Sequence, residues 1–332
     1  MINFNLLNKN IFFFKIVVLF FISRFVILHI FGIELNGANF GYHTAHYDLL
    51  RYDLIQTTLF QHSQPFFWNL YLGTLIKIAN GNIASIESAF LFINILLSFG
   101  IIYYAFLISK FFNFSIQQSF FLLIILALNP SILFYENLFS YHQLTAFLFT
   151  QACYFIFMLV HSKKTKYEML FYLNLSFLGF VWSAFQPLLI IVIFFIIRIV
   201  LKIKFTKNLL IFLTIVLLSF APHIKNKVIF GSFTSSSWSG HGFSTVFNPE
   251  WLEFCGHPLE KQLYYKDQYE KKFKKLFDHP SLVGKKSLFN NVGLVYKSPK
   301  CFSLTLKKII NEPETYIYKS YGNYSFPWKI CI

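Results

Sequence analysis

Apolar residues fill long stretches of this chain, and polar residues gather in the short breaks between them. Residues 11–32, 86–108, 117–135, 142–161, 168–185, 187–203 and 208–222 are each predominantly apolar. A helix that crosses a bilayer needs roughly 20 such residues, so the pattern predicts about seven spans. The region 168–203 can also be divided differently. The predicted fold class is an all-α integral membrane protein. A multi-span helical bundle occupies residues 1–222, and a mostly helical extramembrane C-terminal segment follows over 223–332. No internal repeat stands out.

Composition strengthens this picture. Hydrophobic residues make up 56% of the 332 and charged residues only 13%, with 46 Phe, whereas a soluble domain is about a quarter charged. The net charge of +15 does not point to nucleic acid, because the lysines sit at the ends of apolar runs and in the tail. There they set orientation and meet anionic lipid. The four cysteines form no CxxC pair, which leaves zinc and thioredoxin-type chemistry without support. Cys153 lies in an apolar run and reads as core, while Cys255 and Cys301 can pair if their segment leaves the cytoplasm. The N-terminal apolar run lacks a small-residue cleavage site and reads as a first membrane helix.

Orientation follows from the short basic links. "HSKKTK" (161–166), "KIKFTKN" (202–208) and the link with Lys110 belong in the cytoplasm by the positive-inside rule. That alternation puts the N-terminus inside. It turns loop 33–85, the turn at 130–141, the link at 183–187 and everything after 222 outward. Long segments translocate largely regardless of charge, so a lysine-rich outer tail is compatible.

The outward segments hold most of the candidate chemistry. In loop 33–85, "YDLLRYDLIQTTLF" and "PFFWNLYLGTLIKI" read as helices, the second with Pro65 in its first turn and its apolar residues along the membrane surface or the bundle. Ser63 and Gln64 then stand at its N-terminal end, which suits a phosphate or carboxylate. Asp48 and Asp53 are five apart and share one helical face poorly, so one can act while the other caps or is solvated. Arg24, inside the first run, is either functional or a snorkelling or carboxylate-paired arginine. Glu136 lies among Tyr135, Tyr141 and His142 and either orients a sugar or caps the next helix. In "VWSAFQP" (181–187), Trp182 and Gln186 lie where Trp is favoured anyway. Lys225 and Lys227 precede a Gly/Ser/Thr-rich run that suits a phosphate group or a flexible linker. Asp48, Asp53 and Glu136 could hold a divalent ion, but no ligand spacing demands a metal or any other cofactor. No GxSxG, HExxH, Walker loop or GxGxxG occurs in a strand–helix context.

"HSQPFFWNLYLG" (62–73) resembles a stretch of bacterial membrane proteins related to protein O-mannosyltransferases, in the glycosyltransferase family 39-like group. "NPSILFYENLFSYH" (129–142), "WSAFQPLLI" (182–190) and "KNKVIFGSFTSSSWSG" (225–240) look like three further blocks of that group in the same order. The resemblance runs from about the first span to residue 240. It implies a C-type glycosyltransferase fold, with catalytic loops on the outer face and a polyprenyl-phosphate-linked sugar as donor. An acidic residue of the first outer loop then serves as catalytic base; Asp48 matches best and Asp53 second. Arg24, Lys225 and Lys227 become candidates for stabilising the donor phosphate, and His62 and Gln64 for facing the site. Glu136, His142 and Gln186 join them as substrate-binding candidates. The implied location is a bacterial inner membrane, and the acceptor is unspecified.

Two departures qualify the resemblance. Pro65-Phe66 stands where the group commonly has Pro-Pro. The chain also stops at "YSFPWKICI" where relatives continue with more spans, which implies a truncated or split product. The competing expectations are a non-catalytic carrier or partner subunit of a cell-surface glycan pathway and, last, a transporter, which favours mid-membrane polar residues over polar loops.

Overall fold

The structure is a computed structural model that describes residues 4–29, 44–204, 207–238, 279, 280, 290 and 292–315. These residues form helices and connecting turns, with no strand among them. In chain order the helices are α1 (Phe4–His29), α2 (Tyr47–Tyr52), α3 (Leu54–Leu59), α4 (Phe67–Ile78), α5 (Ile83–Phe111), α6 (Ile116–Ala127) and α7 (Pro130–Glu136). There follow α8 (His142–Ser162), α9 (Thr165–Val181), α10 (Pro187–Leu201), α11 (Leu209–Ser219), α12 (Ala221–Phe230) and α13 (Val292–Asn311).

Local chemistry sets these boundaries. Asn82 caps α5 by accepting the Ser85 N–H at 3.1 Å. Ser115 and Gln118 form a reciprocal capping box on α6, at 3.2 and 2.8 Å, which satisfies N–H groups that the helix itself leaves open. Asn129 caps α7, whose first residue is Pro130, the position where a missing N–H costs nothing. At the other ends, Lys163 and Lys202 close α8 and α10 in the left-handed conformation, with φ of 50° and 52°.

The chain divides into two compact units, Met1–Tyr42 with Tyr71–Ser219, and His43–Leu70 with Phe220–Ile332. The loop segment that carries Asp48 and His62 is thus grouped with the C-terminal part rather than with the bundle.

In the first unit, α8 packs against α9 and α5, α9 also meets α10 and α11, and α6 joins α1 to α5. Ile16, Phe20, Ile102, Phe106, Leu123 and Ala127 form a buried cluster across α1, α5 and α6. Large apolar side chains such as Phe92, Phe121, Leu188, Phe195, Ile199 and Leu210 are exposed, as expected of helices solvated by lipid. At Gly179 an added Cβ would lie 2.7 Å from the Phe185 carbonyl oxygen, so the turn after α9 presses on the helix at that point. Gly179→Ala is expected to destabilise the unit by about 1–3 kcal/mol through overpacking, read as a lower thermal midpoint in detergent.

Among the described residues three segments are long and apolar enough to cross a membrane: α5, α8 and Leu209–Phe230. The pair α6 and α7, bent by 46°, makes a fourth if it counts as one span. The seven apolar runs therefore yield three to four such helices among the described residues. Two of the other runs form helices that are shorter or carry polar residues. At 15 residues, α10 is about 22 Å long, against a hydrocarbon core of about 30 Å. At 17 residues, α9 carries buried Glu168 and Asn174 within it. The last run is also longer than predicted, since helix continues to Phe230 and takes up Lys225 and Lys227.

In the second unit, the predicted helix at 47–60 is broken in two at Asp53, whose backbone (φ −136°, ψ 50°) leaves the helical region. The next helix begins at Phe67, two residues beyond Pro65. In α13, Val295, Ser298, Cys301 and Thr305 are buried, the spacing of one helical face. Cys301 is disulfide-bonded. Cys255 lies outside the described residues, and Cys153 is a free, half-buried thiol.

Candidate functional site

The segment Gln61–Gln64, the most polar break in the first loop, is buried: Gln61 and Ser63 have no exposed surface and His62 only 1%. It is irregular in backbone, so its N–H and C=O groups need partners from elsewhere. Asn290 supplies several of them. Its Oδ1 accepts the N–H groups of His62 and Ser63 at 2.9 and 3.2 Å, and its Nδ2 donates to the Phe60 carbonyl at 2.9 Å. The Ser237 N–H donates to the His62 carbonyl at 2.8 Å, Ser236 Oγ donates to the Ser63 carbonyl, and Lys225 Nζ donates to the Gln61 carbonyl. Thus "QHSQ", Lys225 and the Ser-rich run at 235–237 form one hydrogen-bonded knot.

Within the knot, His62 Nδ1 lies 2.8 Å from Ser237 Oγ, and its ring meets Phe230 edge-on at 5.0 Å. Burial, reinforced by the nearby Lys225 charge and partly opposed by the contact with Asn290, pushes the imidazole down to about 3. His62 is therefore neutral at physiological pH and holds the fold together. A Ser–His pair can also be nucleophilic, but this one is buried, with Ser237 at 1% exposure. Gln64 is buried in the same segment.

The pH dependence follows from that depressed value. The folded form holds fewer protons than the unfolded chain between pH 6.5 and about 3, so the His62 contribution is present above 6.5 and lost as pH falls through this window. Across it, stability should fall by up to about 1.4 kcal/mol per pH unit. His62→Asn should flatten that slope, measured as the thermal midpoint at pH 7 against pH 5.

The two aspartates sit differently. Asp48, in the first turn of α2, has 46% of its side chain exposed, with His46 Nδ1 3.4 Å from Oδ2. His46 Nδ1 also accepts the Asp48 N–H at 3.3 Å. Asp53 marks the break between α2 and α3, and its Oδ2 lies 2.8 Å from His279 Nε2. Phe60 packs edge-on against that imidazole at 4.9 Å. Asn69 Oδ1 accepts the Ala45 N–H at 2.7 Å and fixes the start of this helix pair. Lys227 is exposed, with Nζ donating to the Gly231 carbonyl at 3.1 Å.

The remaining candidates belong to the first unit. Arg24 is 3% and Glu136 2% exposed. Arg24 Nη2 lies 2.6 Å from Glu136 Oε1, and Nε reaches both carboxylate oxygens at 3.2 and 3.1 Å. Nη1 donates to Ser23 Oγ at 3.0 Å and to the Ala127 carbonyl. The carboxylate-paired alternative holds for Arg24, and Glu136 ends α7 rather than capping α8. With both charges balanced internally, neither is free for a donor phosphate. His142 stacks between Tyr135 and Tyr141 at 4.8 and 4.7 Å. Gln186 donates to the Ser183 carbonyl and closes its own turn ahead of α10.

Sequence reading missed His46, His279, Asn290 and the serines as partners, and it missed a second buried ion pair, Glu168 with Arg198, at 2.5 Å. A signal for that pair existed, since an ionisable residue within an apolar run is itself notable. Among the described residues no three His, Cys, Asp or Glu side chains gather as a metal site would require. No family model, curated protein or solved structure matches this chain.

Proposed function

We propose that the chain is a membrane glycosyltransferase, moving a sugar from a polyprenyl-phosphate-linked donor to a glycan, lipid or protein acceptor. The reaction lies on the outer face of a bacterial inner membrane, with about seven spans and a cytoplasmic N-terminus. One observation carries this reading. Two of the four blocks that resemble the group, 62–73 and 225–240, knit together in one knot, and the helix pair leading into it keeps Asp48 half-exposed. The oxidised Cys301 supports an outward second unit, because disulfides persist in oxidising compartments.

In this reading the Asp48 carboxylate takes the proton of an acceptor hydroxyl as that oxygen attacks the anomeric carbon. The bond from that carbon to the phosphate oxygen breaks, polyprenyl phosphate leaves, and the configuration inverts. His46 Nδ1 accepts the Asp48 N–H and so holds the start of the helix that carries the carboxylate, and Lys227 is an exposed cation suited to the departing phosphate. The test is glycan mass spectrometry in a strain lacking this gene, complemented with the native chain or with Asp48→Asn. A sugar restored by the native chain alone supports the reading.

A second reading, a non-catalytic carrier or partner subunit, is favoured by the internal engagement of Arg24, Glu136, His62 and Lys225. Restoration of the sugar by both forms would select it.

A further inference from the structure

In the first unit, Glu168 in the first turn of α9 and Arg198 in the last turn of α10 form an ion pair with side chains 4% and 0% exposed. Asn208 Nδ2 donates to the other Glu168 oxygen at 2.7 Å and lies 3.4 Å from Thr165 Oγ1. Arg198 Nη2 also donates to the Lys207 carbonyl at 2.6 Å, and its guanidinium covers the Phe194 ring at 4.5 Å. One buried carboxylate thus fastens the α8–α9 link to the α10–α11 link. Two lysine-rich segments, far apart in sequence, are brought to one end of the unit.

Charge accounting gives this end a purpose. Lys163, Lys164 and Lys166 are exposed on the first link, and Lys202, Lys204 and Lys207 on the second. Glu168 is the sole acidic residue between 161 and 209, and its charge is spent on Arg198. The six exposed lysines therefore have no carboxylate among themselves or in the helices that bear them. Beside them, the last turn of α10 exposes Ile199 and Val200, and the same helix exposes Leu188, Val192 and Phe195 further along its length, a lipid-type surface. A basic rim above apolar helix walls fits phosphates held at a membrane surface, and each lysine there contributes on the order of 1 kcal/mol of attraction.

We infer that this end of the first unit is a binding surface for anionic phospholipid headgroups, assembled by the buried Glu168–Arg198 pair. The surface retains anionic over zwitterionic lipid whether or not the chain is an enzyme. The full chain is reconstituted in nanodiscs of phosphatidylcholine with or without phosphatidylglycerol of equal chain length. Lipids that copurify after detergent extraction are then counted by native mass spectrometry. The expected result is preferential retention of phosphatidylglycerol, reduced at least about tenfold when all six lysines are changed to Gln. The lysine variant should melt like the parent in phosphatidylcholine alone, because the exchanged side chains are exposed. Glu168→Ala, which leaves Arg198 buried without its counterion and loosens the joint, should lower the preference while all six lysines remain. Equal retention of the two lipids, or a preference that survives the six-lysine change, overturns the proposal. So does equal displacement of phosphatidylglycerol by millimolar inorganic phosphate, which would make this a small-anion site instead.

Discussion

Glu136→Ala, with Arg24 left in place, is expected to cost the first unit about 3–5 kcal/mol. The cost comes from what remains rather than from what is removed. Arg24 is 3% exposed, and the alanine would leave its guanidinium buried with Ser23 Oγ, the Ala127 carbonyl and the Phe20 ring as partners but no counterion. A buried charge without its counterion is among the few single changes that destabilise so strongly. The same substitution leaves the α7 end to be held mainly by Asn94, whose side-chain amide donates to the Glu136 carbonyl at 3.0 Å. In a unit of this size the loss corresponds to roughly 10 °C in thermal midpoint.

The matching double change separates charge from packing. Arg24→Met with Glu136→Leu removes both charges together, so most of the loss should return, because apolar replacement of a buried pair is close to neutral. A double-mutant cycle on midpoints in detergent reads the coupling directly. If Glu136→Ala alone proves as mild as the double change, the guanidinium is hydrated and the pair is not the buried brace described above.

How far the sequence reaches can be judged from the same residues. The apolar runs at 86–108 and 142–161 become α5 and α8 with ends shifted by a few residues, because length and hydropathy decide such helices locally. The caps at Asn82, Ser115 and Asn129 were equally open to local reading. What escaped was set by partners far along the chain. Asn290 serves the backbone of Phe60, His62 and Ser63 from more than 220 residues away, and His279 meets Asp53 across 226. A single sequence contains no distance information of that range. The polar cluster at 61–64 suggests a ligand when read alone, whereas in the fold its backbone is held by Asn290, Lys225, Ser236 and Ser237. Arg24 and Glu136 illustrate the same ambiguity. Each looks functional in isolation, and only the fold joins them.

Asp48→Asn should lower sugar transfer by about 10²- to 10⁴-fold, the range associated with removing a positioned general base. It should do so without a measurable change in thermal midpoint. The separation is available because Asp48 is 46% exposed, so an amide there costs little packing or desolvation. The N–H bond from residue 48 to His46 Nδ1 is made by backbone and survives the exchange. Asp53→Asn provides the contrast. It weakens the 2.8 Å pairing with the mostly buried His279 at the point where α2 gives way to α3, so stability of the second unit should fall along with activity. Asp48→Glu, with the carboxylate displaced by one methylene, should recover part of the rate, whereas a merely structural position would not distinguish Glu from Asn. The readout is transfer from a polyprenyl-phosphate-linked sugar in membranes carrying equal amounts of each variant. Full transfer by Asp48→Asn would remove Asp48 from the chemistry, and full loss on Asp53→Asn with an unchanged midpoint would move the base to Asp53.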